Sequence, residues 1–413
     1  MKHLALIIFS LSCLFQTSLC GQILGEELLN GEPKIDIRFN YNQKFILVDI
    51  KFSILPLTFI LDTGAEHLIL FKKEYSDILG LKYDKRINLI GADLNQEVYA
   101  LITRNIPFQV GKSKVINRDF IVLEEDFLHL DKLTGESIDG IIGGRLMRGI
   151  VLELDYKKRK LSLHDRDRFK TPGKGFTEVD IEIRNHKPYI KSNLTLDNGE
   201  KIEVDLLLDS GAALPFLLLL DTDSSLQLPE KVVKGHIGRG LGGNVIGFMS
   251  QTSKFELTPN FVFEQLLTSY QDVVDPQNLT ISDKNGLLGN PLLERFHIFI
   301  DYVSNKLYLK PHKNYNKKFK FDMSGLVLYA FGQNLDNYYV KNVVEGSPAE
   351  EAGILPGDRI VRVGLVRSKM LSLPQIYNKL KKKEGKKVKL HIEREGKTLK
   401  KSIVLRDFFK KMN

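Results

Sequence analysis

The chain has little cysteine, and what it has is confined to one place. Cys13 and Cys20 both fall within the first twenty of 413 residues. Beyond them no thiol occurs, which excludes a disulfide framework and a cysteine nucleophile for residues 21–413. Long apolar runs are also missing. Residues 4–15 are mostly apolar, and no later stretch approaches the ~20 apolar residues that span a bilayer. The nine histidines are scattered without metal-ligand spacing, and no phosphate-cradling glycine loop occurs. No cofactor and no metal are therefore expected, and no integral membrane segment in the mature chain.

The first twenty residues have the layout of a secretory leader. Lys2 and His3 precede the apolar run, and small or polar residues follow it. Ser18 and Cys20 fit the −3 and −1 positions, so cleavage is expected after Cys20. Lipid attachment at Cys20 is the alternative. Either way the chain is expected to be exported, to a periplasm or to the medium.

The formal net charge is +9. Residues 313–413 hold 23 Lys+Arg against 10 Asp+Glu, whereas residues 1–312 hold 37 against 41. The basicity thus belongs to the tail. Its densest part, "NKLKKKEGKKVKL" (378–390), reads as the solvated face of a helix and strand. A polyanion or anionic surface is the other reading. Aromatic side chains are not interleaved there, so nucleic acid is not an expected partner.

From residue 30 onward, short alternating segments rich in β-branched and aromatic residues dominate. Examples are "KIDIRFNY", "KFILVDIKF" and "KLYLKPH", each bounded by Gly, Asn or Asp. This predicts an all-β protein to about residue 312. Exposed joints fall at "RDRFKTPGKG" (166–175) and "PHKNYNKKFK" (311–320).

Within that region the chain repeats itself. "FILDTGAEH" (59–67) is matched by "LLLDSGAAL" (206–214). Gly91 follows Asp62 by 29 residues, and Gly238 follows Asp209 by 29. "DGIIGG" (139–144) is matched by "NGLLGN" (285–290), so that Gly143 lies 81 residues after Asp62 and Gly289 lies 80 after Asp209. Two homologous halves are predicted, at 32–168 and 176–312.

Each half ends an apolar strand in a carboxylate with no basic neighbour in sequence. Such a group is costly unless it is used or paired. Pseudo-twofold halves can place equivalent residues at their shared axis, so each aspartate is the natural partner of the other. Two carboxyls at close range cannot both ionise and share one proton. The ionised one can take a proton from water, and the protonated one can donate to a carbonyl oxygen. Thr63 and Ser210 supply hydroxyls able to fix the two strand ends to each other. Gly64 and Gly211 let backbone N–H groups approach the carboxylates.

These motifs resemble those of aspartic proteases in the bilobal form whose halves are retropepsin-like, over residues 32–312. The resemblance implies that Asp62 and Asp209 are the catalytic dyad, supported by Thr63, Gly64, Ala65, Ser210, Gly211 and Ala212. It also implies that Ile141, Ile142 and Gly143, with Leu287, Leu288 and Gly289, brace the aspartate loops. A hairpin flap over the cleft would include Gly91 in one half, or Gly238, Gly240, Gly242 and Gly243 in the other. Ala65 and Ala212 stand where the pepsin branch often has a hydroxyl. Its loss should raise the upper apparent pKa of the dyad and extend activity to weakly acidic or near-neutral pH.

The tail carries a second resemblance. "VVEGSPAEEAGILPGDRIVRVG" (343–364) is similar to bacterial-type PDZ domains, and the region spans 322–408. "LSLPQIYNKLKKK" (371–383) reads as its second helix, and a closing hairpin turns at Glu395 and Gly396. The resemblance implies a groove for an extended peptide, lined by Leu326, Val327, Leu328, Ile376 and Leu380, that could take a protein C-terminus. Val327 departs from the second glycine usual in the carboxylate-binding loop.

The sequence thus predicts a two-lobed all-β aspartic endopeptidase with a C-terminal PDZ domain, β-rich with two short helices. A peptide or protein is its substrate, recruited or gated by the PDZ domain. The rival is a non-catalytic envelope protein that holds peptides in the cleft and the PDZ groove.

Overall fold

The computed structural model describes residues 25–90, 97–240, 243–272, 284–313, 315–319 and 322–407. The leader, with Cys13 and Cys20, lies outside them. So do Gly91, Gly242 and the last six residues. Strands dominate, as the alternating pattern predicts. No helix among the described residues is long and apolar enough to cross a membrane.

Two eight-stranded sheets repeat one topology. In the first lobe, Phe45–Phe52 pairs antiparallel with Leu55–Asp62. Leu55–Asp62 then pairs parallel with Gly140–Gly143, which pairs antiparallel on its far side with Ile69–Leu70. In the second lobe, Lys187–Thr195, Lys201–Asp209, Gly286–Gly289 and Phe216–Leu219 take the same places. Register repeats as well: Asp62 lies opposite Gly143, and Asp209 opposite Gly289. The glycine strand is thus inserted between the strand that delivers the aspartate and the strand that leaves it.

That insertion explains the glycines. A Cβ on Gly143 would lie 2.5 Å from the His67 carbonyl oxygen, and one on Gly289 would collide with the carbonyl oxygen of Leu214. The chain leaving each aspartate loop passes too close for any side chain.

A six-stranded antiparallel sheet joins the lobes. Ile150–Asp155 pairs with Phe296–Asp301 at its centre, with Lys160–Asp165 and Lys34–Arg38 on one side. Lys306–Pro311 and Thr177–Asp180 lie on the other. At this seam the buried Glu153 accepts hydrogen bonds from His164 (2.8 Å) and His297 (2.9 Å), with Lys34 at 3.3 Å. Burial alone would push the Glu153 carboxyl up, but these partners hold it well below the usual range. Leu28 and Leu29, on the short helix Glu26–Leu29, are buried in the main core. Residues 25–31 therefore belong to the fold, although their sequence signals no role.

The C-terminal unit has its own apolar core, which includes Leu328, Ile360, Ile376 and Ile392. Its main path runs Leu326–Phe331, Asn337–Val343, Arg359–Val363, Lys387–Arg394 and Lys397–Val404. Its helices are Pro348–Glu351 and Leu373–Leu380. Ser347 and Ser372 cap them, and Ser372 and Gln375 complete a capping box. Glu395 and Gly396 both take positive φ, 49° and 74°, as a two-residue hairpin turn requires. In Lys387–Arg394, Lys387 and Lys389 are exposed while Val388 and Leu390 are buried, so these basic residues form a solvated face.

Gly289→Ala should destabilise the chain by about 3 kcal/mol, because the methyl group meets backbone that cannot yield. Gly173→Ala, where a Cβ would meet nothing within 4 Å, should be close to neutral. Denaturant midpoints of the two variants check this.

Candidate active site

Asp62 and Asp209 end equivalent strands and face each other across the lobe interface. A Cβ on Gly64 would lie 2.6 Å from Cγ of Asp209, and one on Gly211 would overlap the Asp62 carboxyl. Each carboxyl thus sits against the glycine of the opposite loop. Gly64 and Ala65 N–H groups donate to Oδ1 of Asp62 (2.8 and 3.0 Å), and Gly211 N–H donates to Oδ1 of Asp209 (2.7 Å).

The adjacent hydroxyls lock the loops together reciprocally. The Thr63 hydroxyl donates to the Leu208 carbonyl (2.6 Å) and accepts from Ser210 N–H (3.0 Å). The Ser210 hydroxyl donates to the Leu61 carbonyl (2.8 Å) and accepts from Thr63 N–H (3.0 Å). Thr63 and Ser210 are 1% and 0% exposed, so water cannot replace these bonds.

Both aspartates keep some exposed surface, yet the protein around them is dense enough for desolvation to dominate their proton affinity. Burial pushes both carboxyls up. The charge of Asp209 and its hydrogen bond push Asp62 well above the ordinary range. On Asp209 the charge of Lys284, the N–H groups of Gly211 and Ala212, and the bond to Asp62 pull the other way, but burial outweighs them and it too stays above the ordinary range. The pair therefore shares one proton over a pH range in which ordinary aspartates are ionised.

Both lobes raise a hairpin at the equivalent place. Lys85–Ile90 pairs with Glu97–Val110, its last pair being Ile90 with Glu97. Val233–Gly240 pairs with Gly243–Thr258, ending at Gly240 with Gly243. Gly238 lies opposite Val245 in that hairpin. The inner faces are apolar. Leu89 and Val98 pack in a cluster with Ile141 and Ala65, and Ile237 and Val245 in one with Leu287 and Leu214. An apolar wall thus flanks the dyad in each lobe.

Sequence reasoning missed the residues that cross between lobes. Two hairpin turns reach across, Gln43 with Lys44 and Asn185 with His186, all four at positive φ. Lys44 pairs with Glu294 (2.6 Å). Asn290, fully buried, donates to the Lys44 carbonyl (2.8 Å) and the Ser210 carbonyl, and accepts from the Tyr156 hydroxyl (2.6 Å). At the equivalent position of the first lobe, Gly144 leaves room for the His186 carbonyl, which a Cβ would strike. The signal was present as the final letters of "GIIGG" and "GLLGN", but their meaning depends on which turn each one meets.

Among the described residues, Asp126, His129 and Asp131 bring three ligand atoms within 4.8 Å of one another. Asp126 already accepts the N–H groups of Leu128 and His129, and neither dyad carboxylate belongs to this group. A broad recess of about 1170 Å³ opens in the second lobe around Leu196, Ser225, Gln251 and Glu264, and the dyad does not line it. Of the residues expected in the PDZ groove, Leu326, Leu328, Ile376 and Leu380 are buried in that domain's core, and Val327 is half-buried.

A family model described as aspartyl protease matches residues 48–146, which include Asp62 and Gly140–Gly143. One described as PDZ domain matches residues 339–394. The chain carries an aspartyl protease domain followed by a PDZ domain. Comparison with curated proteins returned no match.

Asp62→Asn should stabilise the fold at neutral pH relative to the unsubstituted chain. The native Asp62 carboxyl binds its proton more tightly than the unfolded one, near 3.9. Between the two values the unfolded state holds fewer protons, so stability falls as pH rises through that window. The advantage of the variant should therefore grow from about pH 4 upward and vanish below it. Melting temperatures measured across pH check the sign.

Proposed function

We propose that the chain is an exported aspartic endopeptidase that hydrolyses peptide bonds with a water activated by Asp62 and Asp209. The observation that carries this reading is a pair of carboxyls brought face to face at the lobe interface, each against the glycine of the opposite loop and each pushed up by burial, so that the two share one proton. Water between the carboxyls gives its proton to ionised Asp209 as its oxygen attacks the carbonyl carbon. Protonated Asp62 donates to the carbonyl oxygen, giving a neutral gem-diol. Collapse returns a hydroxyl proton to Asp62, passes the Asp209 proton to the amide nitrogen, and breaks the C–N bond. No covalent enzyme intermediate forms.

The two apolar walls support a preference for apolar side chains on both sides of the scissile bond. The equivalent hairpins support closure from both lobes. The PDZ domain recruits or gates an extended peptide. Export rests on the leader.

Cleavage of a peptide library is the direct test. Asp62→Asn and Asp209→Asn should each lower kcat by at least about 10³-fold. The activity of the unsubstituted chain should yield to a pepstatin-type inhibitor. No cleavage between about pH 3 and about pH 8 would favour the non-catalytic peptide binder instead. The pH–rate profile should reach weakly acidic or near-neutral pH, and activity only below about pH 3 would contradict the argument from Ala65 and Ala212.

A further inference from the structure

The PDZ groove lies between the edge strand Leu326–Phe331 and the helix Leu373–Leu380. A peptide added there would need three things. Backbone N–H groups of the loop before the strand would receive its terminal carboxylate. N–H groups along the strand would pair with its backbone. The far end of the groove would have to be open for the rest of the peptide.

In this chain groups of its own already occupy the first two places and close the third. Asp322 turns its own carboxylate into the loop. Its Oδ2 accepts from Gly325 N–H (2.7 Å) and Leu326 N–H (3.2 Å), and its Oδ1 from the Ser324 hydroxyl (2.8 Å). Halfway along, Leu328 N–H donates to the Tyr377 hydroxyl (2.8 Å), which crosses from the helix. At the far end the first protease lobe closes the groove. A Cβ on Gly135 would lie 3.1 Å from Cβ of Leu373 and 4.0 Å from Cβ of Ala330, where the helix starts and the strand ends. The helix Leu130–Thr134 packs along the same strand, and Lys132 stands 5.4 Å above the Phe331 ring.

We propose that the PDZ groove is an intramolecular docking surface whose occupant is this chain itself, with Asp322 in the terminal-carboxylate position and residues 130–135 of the first lobe across the exit. A free C-terminus is then refused until the groove opens. Val327 fits this arrangement. A second glycine that lets a loop adapt to incoming carboxylates is not needed where the carboxylate is resident.

The contact leads to the cleft. Leu130 and Leu133, on the helix that covers the strand, share an apolar cluster with Ala65, Leu89, Val98 and Ile141. Those residues form the first-lobe wall beside the dyad. At the other end of the groove, Lys381 is half-buried within the fields of Asp322, Lys44 and Glu294, the last two being the ion pair between lobes. A ligand that opens the groove would therefore disturb both the cleft wall and the lobe junction.

The inference rests on reading the C-terminal domain as peptide-binding, not on the protease reading. The test therefore runs in full-length chain carrying Asp209→Asn and reads binding rather than cleavage. The probes are fluorescent decapeptide pools ending in one apolar residue, prepared as free acids and as C-terminal amides. With Asp322 and Tyr377 present, the two pools should bind equally weakly, within about twofold. Asp322→Ala should create at least a tenfold preference for the free acid, and Tyr377→Phe should strengthen both pools. In the chain retaining both residues, the Gly325 and Leu328 amides should exchange hydrogen slowly. A tenfold free-acid preference with Asp322 in place overturns the proposal. So does fast exchange at those amides, or no gain from either substitution in folded protein. If Asp322→Ala does not fold, the pool comparison and the exchange rates in the chain retaining Asp322 decide alone.

Discussion

Everything at the centre of this protein depends on holding two desolvated carboxyls together at the lobe interface. Their mutual repulsion and desolvation oppose the folded state. The four hydrogen bonds through the Thr63 and Ser210 hydroxyls oppose that tendency, and each ties one lobe to the backbone of the other. They are buried and reciprocal, so losing one hydroxyl leaves a carbonyl and an N–H of the opposite lobe unsatisfied. The strained pair is kept by residues adjacent to it, and the glycine strands behind keep those residues in register.

The two lobes are equivalent in topology but not in chemistry. The neighbours of Asp62 and Asp209 differ: the charge of Lys284 acts on Asp209, and the N–H groups of Gly64 and Ala65 act on Asp62. The crossing turns differ in the same way. Lys44 meets Asn290 and Glu294, whereas the His186 backbone packs on Gly144. The framework is symmetric and its lining is not. The PDZ domain packs on this framework through the Leu130–Thr134 helix, and its Lys381 lies within the field of the Lys44–Glu294 pair.

Much of this was legible in the sequence because the repeat printed it twice. Apolar runs ending in aspartate, followed at matched distance by glycine-bounded Ile-Ile and Leu-Leu, specify both the strand register and the site. The hydroxyls could be read because they directly follow the aspartates. Asn290, Lys44, Glu153 and Asp322 could not be read. Each acts on a backbone or side chain brought near by the packing of lobes or by a local loop geometry, and its own sequence neighbourhood does not say what it will meet. Asp322 in particular comes just after a basic, turn-rich joint and reads as an ordinary loop aspartate until its N–H partners are seen.

The central claim is that Asp62 and Asp209 act as one unit that retains a proton. Carboxyl carbon shifts of the two residues, followed by NMR from about pH 2 to about pH 8, test it most directly. The account predicts two linked steps seen at both residues, with one proton held well above the ordinary aspartate value of about 3.9. Two independent titrations near 3.9, each unchanged when the other residue is replaced by Asn, would contradict it.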